Sequence, residues 1–405
     1  MPAEITEVPQ GTVTSPQGFL AGATYAGIRT YSEDKVDFGM LMSEKSSMAA
    51  GMFTTNLIRS PSVVVTEEHI ANGTAQVIVI NSGIANACVG EQGYKDAKEC
   101  TAMAAEHLGI PQEDVLFCST GLIGVELPMG LLKGAIPKVN LAPDGGHPLA
   151  RAILTTDLRP KEYAVSFPHD GRTVTIGGIT KGSGMIHPNM ATTLTFLTTD
   201  AAVEPAFFKE VLRETVDSTL NMVSVDGDMS TNDSVIILAN GAAGGEVISW
   251  DSDGAETYQR ALMQVCAHLS REIARDGEGA TKVITVIVEG ARTLVDARKA
   301  AKAVATSSLV KTAVTGNDPN WGRILASVGA SGAEVVEEKI ALYINDVCIM
   351  EDGRPVPFFK DAVVAIMREQ DVSFRISLGL GDASAQAWGC DLTNEYVTIN
   401  SAYTT

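Results

Sequence analysis

The sequence has no apolar run approaching the roughly 18 consecutive residues that a membrane helix requires, which argues against a helical span. Its opening, MPAEITEVPQG, has neither a basic start nor an apolar stretch, and it is acidic rather than arginine-rich. Neither an export signal nor an organelle transit peptide is expected there, and the expected location is the cytoplasm. Basic residues are scarce: 30 Lys and Arg face 49 Asp and Glu, a formal net charge of −19. That balance excludes nucleic acid and anionic membranes as natural partners. The six cysteines (Cys88, Cys100, Cys118, Cys266, Cys348 and Cys390) show no CxxC spacing, so buried thiols are expected rather than a disulfide frame or zinc site.

Several familiar signatures are absent or only imitated. GxSxG is missing, so Ser183 is no hydrolase-elbow nucleophile. The histidines form no HExxH or other paired spacing, and His187 reads as a loop histidine. Gly277-Glu278-Gly279 follows a helical pattern and precedes a strand, the reverse of a dinucleotide loop. Gly379-Leu380-Gly381 lacks a third glycine in register. Asp226 to Asn232 imitates a calcium loop, but its twelfth position is Ile237 rather than Glu. No metal and no cofactor are expected.

What the chain does have is length for two or three domains and alternating strand and helix patterns. Residues 1–35, rich in Gly, Pro and Thr, read as an irregular opening. Strands are expected at 75–80, 114–118, 163–167, 173–179, 192–199, 234–238, 283–288, 339–344 and 372–378. Helices are expected at 94–108 (stopped by Gly109), 131–135, 148–154, 205–222, 258–275, 294–309 and 358–368. The alternation gives an α/β or α+β class.

One stretch dominates the middle: Lys181 to Asp200, KGSGMIHPNMATTLTFLTTD. Gly182, Gly184 and the Pro188-Asn189 pair are turn chemistry, and the β-branched residues that follow are strand chemistry. A small residue and a threonine at that junction can hold one peptide bond under strain, with the hydroxyl against the preceding carbonyl. The Thr192 hydroxyl could then attack the Ala191 carbonyl, leaving Thr192 as a new N-terminus. An N-terminal threonine is an activated nucleophile, because its α-amine takes the hydroxyl proton. The same residues also fit an ordinary Gly-rich turn before a Thr-rich strand.

Other loops carry double readings too. Thr120-Gly121, at an expected strand end, can donate a hydroxyl and an amide to an oxyanion, or form a plain β-turn. Lys181 and Glu278 are loop charges that could bind a zwitterion or simply be solvated.

The segment KGSGMIHPNMAT resembles the signature of the ornithine acetyltransferase family. FTTN at 53–56, NSGIANAC at 81–88, STGLIG at 119–124, TTD at 155–157, DGDMSTND at 226–233, DGEGATK at 276–282, GNDPNWGRI at 316–324 and the terminal INSAYTT resemble it in the same order. The resemblance spans nearly the whole chain. It implies a layered α-β-β-α sandwich with a smaller C-terminal α/β domain, self-cleaved into parts 1–191 and 192–405. It implies Thr192 as nucleophile, Ala191 as the cleaved carbonyl, and Thr120 with Gly121 as the oxyanion hole. Thr155, Lys181, Thr192, Glu278, Asn400 and Thr405 would bind the amino-acid substrate. The activity implied is acetyl transfer from N-acetylornithine to glutamate, with acetyl-CoA as a possible further donor, in an α2β2 heterotetramer. Ile84 and Ser60 depart from the family pattern, and this bears on fine substrate preference. Two other classes fit parts of the sequence: a self-processing amidase or aminopeptidase that uses water as acceptor, and a non-catalytic α/β binding protein.

Overall fold

The computed structural model describes residues 3–29, 35–187 and 193–402. Among them sixteen strands form two sheets. The first, nine-stranded sheet uses β1 (Thr6–Glu7), β2 (Phe19–Thr24), β3 (Phe38–Phe53), β4 (Thr74–Ile84), β5 (Val115–Leu122), β6 (Lys161–His169), β7 (Arg172–Lys181) and β8 (Leu194–Thr199). It skips the short β9 (Val223–Ser224) and takes in β10 (Ser234–Ala239). Its order is β1-β6-β7-β8-β10-β3-β4-β5, with β2 also paired to β3. The second sheet contains β11 (Val283–Ala291), β12 (Ala341–Ile344), β13 (Val347–Glu351), β14 (Arg354–Pro355), β15 (Asp371–Ser377) and β16 (Ala383–Cys390), and β9 pairs with β16 at its edge.

The centre of the first sheet is fully buried. Every residue of β8 and β10 is buried, and the two run parallel from Ser234↔Leu194 to Ala239↔Thr199. This is why both segments read as continuous apolar and β-branched runs without alternation.

Helices cover both sheets: α1 (Pro61–Ile70), α2 (Gly90–Leu108), α3 (Met129–Ala135), α4 (Gly146–Ala152), α5 (Pro205–Ser218), α6 (Ala255–Arg275), α7 (Leu294–Thr306), α8 (Ser308–Thr315), α9 (Trp321–Gly329), α10 (Lys360–Met367) and α11 (Asn394–Ala402). The longest, α6, buries Tyr258, Leu262, Val265, Leu269 and Ile273 at helical spacing, and it packs on β6 and β7 of one sheet and β16 of the other. The expected layered α/β architecture is the one found, with the smaller sheet in the C-terminal half.

Several element expectations need correction. The opening is not wholly irregular, since β1 and β2 lie in it. Strand β5 does not break at Ser119 but continues to Leu122, because β4 pairs with it in parallel beyond that point. The expected helix 205–222 ends at Ser218, and a short 3-10 turn, Leu220–Met222, finishes it. The expected helix 294–309 is two helices, because the Ser307 hydroxyl accepts the Val310 N–H and starts a new one. Four of the six cysteines are buried, Cys348 is partly so and Cys88 is exposed. No helix among the described residues is long and apolar enough to cross a membrane.

Candidate active site

A cavity of about 370 Å³ opens where the ends of β5, β7, β8 and β10 meet the loops after α4 and α6. Thr120, Gly121, Thr155, Lys181, Glu278 and Asn400 all line it, although up to 280 positions separate Thr120 from Asn400 in sequence. Ala191, Thr192 and Thr405 lie outside the described residues. Ile186 and Leu194, on either side of the 188–192 stretch, both line the cavity.

Thr120 and Gly121 sit on β5 rather than in a turn, where the register with β4 slips at Ile84. Such a slip bends a strand and re-aims its side chains. Gly121 has φ 129, and a Cβ there would come within 2.2 Å of the Gly83 carbonyl carbon. Only glycine fits, whatever the chemistry of its amide.

Glu278 is buried, and its amide donates to the Ser183 carbonyl at 2.9 Å. Its carboxylate passes over Gly184, where a Cβ would meet it at 2.4 Å. From the opposite side the Asn400 amide donates to Glu278 Oε2 at 2.6 Å, so the exposed helix α11 is tied to the cavity rather than frayed.

Burial lowers the pKa of Lys181, against the pull of Asp157 and Asp233. Burial likewise raises Asp233 well above the usual carboxylate range, and its Oδ2 has no hydrogen-bond partner among the described residues. Beneath the cavity Lys161, 1% exposed, lies between Asp157 and Asp276, each 2.6 Å from its ammonium.

The loop 226–233, which imitates a calcium site in sequence, is a wall of the cavity. Asp226 accepts the amides of Met185 at 2.6 Å and Ile186 at 2.9 Å, and Met185 is held at φ 55. Its carboxylate thus fixes the backbone just ahead of residues 188–192. Sequence reasoning missed this role; the one available signal was three carboxylates and an Asn packed into a short Gly-containing loop. Ser60, a departure from the family pattern, is buried and donates to the carbonyls of Ala85 and Asn86 beside the cavity.

Across sequence space, the model of the ArgJ family matches residues 20–405. The chain belongs to the ArgJ family. Two relatives are each named "Arginine biosynthesis bifunctional protein ArgJ". That of Symbiobacterium thermophilum is 50% identical over 397 residues, covering 98% of this chain and 99% of its own. That of Dehalococcoides mccartyi is 44% identical over 405 residues, covering all of both. A crystal structure of ArgJ from Bacillus halodurans is 40% identical with a TM-score of 0.50, and covers 51% of this chain and 98% of the solved one. Membership in the ArgJ family makes the chain an acetyltransferase of amino-acid biosynthesis.

Proposed function

We propose that this enzyme moves the acetyl group of N-acetylornithine to glutamate through an acetyl ester on Thr192. The observation that carries this reading is the convergence of Thr120, Gly121, Thr155, Lys181, Glu278 and Asn400 on one cavity, whose wall includes both flanks of residues 188–192. That set contains oxyanion donors, a cation for a carboxylate and a carboxylate for an amine, which is what an amino-acid amide requires.

The cycle begins with self-cleavage. The Thr192 hydroxyl adds to the Ala191 carbonyl, and the C–N bond breaks to give an ester and a free Thr192 amine. Water then hydrolyses the ester, releasing the Ala191 carboxylate and restoring the hydroxyl. The half-length of the Bacillus halodurans chain, beside curated relatives of full length, supports a polypeptide cut into parts 1–191 and 192–405. In the mature enzyme the Thr192 amine takes the hydroxyl proton as oxygen attacks the acetyl carbonyl. Thr120 and Gly121 hold the oxyanion, and the proton passes to the departing ornithine nitrogen. Glutamate's amine then attacks the acetyl-threonine, and the hydroxyl recovers its proton. One amide replaces another, so the exchange needs no nucleotide and no cofactor. Acetyl-CoA is proposed as a second acetyl donor to the same hydroxyl. The proposed assembly is an α2β2 heterotetramer in the cytoplasm.

The test is a denaturing gel with N-terminal sequencing, followed by an assay of ornithine release with and without glutamate. The expected result is two bands of similar mass, one starting at Thr192, and release that depends on glutamate. Thr192→Val should give one uncut, inactive chain. Ornithine release without glutamate would favour an amidase, and scission by the Val variant would overturn the proposal.

A further inference from the structure

Three segments bring the substrate-facing groups of the proposed site together: the loop carrying Thr155, the end of β7 carrying Lys181, and the loop carrying Glu278. One buried carboxylate touches two of them directly. Asp157, its side chain fully buried, accepts the Thr155 amide on Oδ2 at 3.0 Å. Its Oδ1 accepts the Gly182 amide at 2.8 Å and the Lys161 ammonium at 2.6 Å. Lys161 also donates to Asp276 Oδ2 at 2.6 Å and to the Arg159 carbonyl at 3.4 Å. The third segment joins through the backbone: the Ser183 hydroxyl donates to the Asp276 carbonyl at 2.6 Å, and Ser183 accepts from Glu278.

We propose that Asp157 is a positioning residue for acetyl transfer: anchored by Lys161, it sets the backbones of Thr155 and Gly182 and so places the adjoining Lys181 for the substrate carboxylate. The proposal rests on the acetyl-transfer reading of the cavity. Elementary electrostatics asks for such a group. An ammonium drawn out of water loses its charge unless a carboxylate is close, and Lys181 must stay charged to grip an anion. Asp157, Asp233 and Glu278 favour its charged form, while burial and the ammonium of Lys161 oppose it. Of the three carboxylates, Asp233 is itself pushed toward its neutral form and Glu278 is engaged by Asn400, whereas Lys161 and Lys181 hold Asp157 ionised in spite of its burial.

The experiment compares Asp157→Asn with Asp276→Asn in the full chain. Each variant removes one carboxylate from the same ammonium, so a purely structural role predicts the same phenotype for both. The expected result is a rise of about tenfold in KM for N-acetylornithine with D157N, and an alkaline limb of kcat/KM moved about one pH unit lower. D276N should lower the melting temperature yet leave that limb in place. Equal behaviour of the two variants, or a wild-type profile for D157N, overturns the proposal. If D157N fails to accumulate, the double variant D157N/K161M must show the same rise in KM, because the carboxylate that holds the Thr155 and Gly182 amides is gone, and a wild-type KM overturns the proposal. Its limb moves less, since the Lys161 ammonium that opposes the charge on Lys181 is removed too. A wild type that lacks glutamate-dependent ornithine release would overturn the acetyl-transfer reading instead. Calorimetric titration with ornithine, about tenfold weaker for D157N, would then decide the role of Asp157 by itself.

Discussion

Thr120 brings one hydroxyl to the cavity and is 7% exposed, so truncating it removes a donor without opening the core. Thr120→Ala is expected to lower kcat by about 10²–10³ with little change in KM, the loss typical of one oxyanion donor, and Thr120→Ser should recover most of it. Steady-state kinetics at saturating glutamate would decide. His187 is a residue of another kind. Burial, reinforced by Lys302, lowers its pKa from 6.5 to about 4, and its Nδ1 lies 3.1 Å from the Ser224 hydroxyl. The unfolded chain therefore takes up a proton before the folded one does. The stability associated with neutral His187 is complete above about pH 6.5 and drains away as pH falls toward 4. Melting temperatures between those limits should decline with acidification, and His187→Gln should flatten the decline.

At the scale of elements, the buried Lys161 triad joins β6 to the C-terminal end of α6. Lys161→Met leaves two carboxylates facing each other without their cation, and chemical denaturation should show a loss of about 3–5 kcal/mol. The triad was not legible in the sequence. Asp157 and Lys161 stand four positions apart in a turn that resembles any solvated loop, and Asp276 enters only through the fold. What could be read were elements with strong local patterns: α2, stopped by Gly109 at φ 68, and α5, opened by Pro205 with Glu204 accepting the amides of Ala206 and Phe207. Strand β3 escaped notice because Glu44 and Lys45 interrupt its apolar run, and its pairing with β4 slips between Met42 and Ser47. The site residues were legible mainly through family resemblance. Glycine at 121 is dictated by the close approach of the Gly83 backbone, a constraint that local pattern does not carry.

At the scale of the molecule, the alternation of strands and helices announced an α/β chain, while the choice of two sheets bridged by α6 depended on pairings between distant strands. The strand order has a further consequence. Strands β8 and β10, which follow Thr192, are inserted side by side between β7 and β3, which precede it. Cutting the chain ahead of β8 would therefore yield two polypeptides woven through a single sheet, each completing the other's hydrogen-bond ladder. They could not come apart by dilution as docked subunits do; parting them means dismantling the core. The two products would behave as one folded body that happens to carry an extra pair of termini.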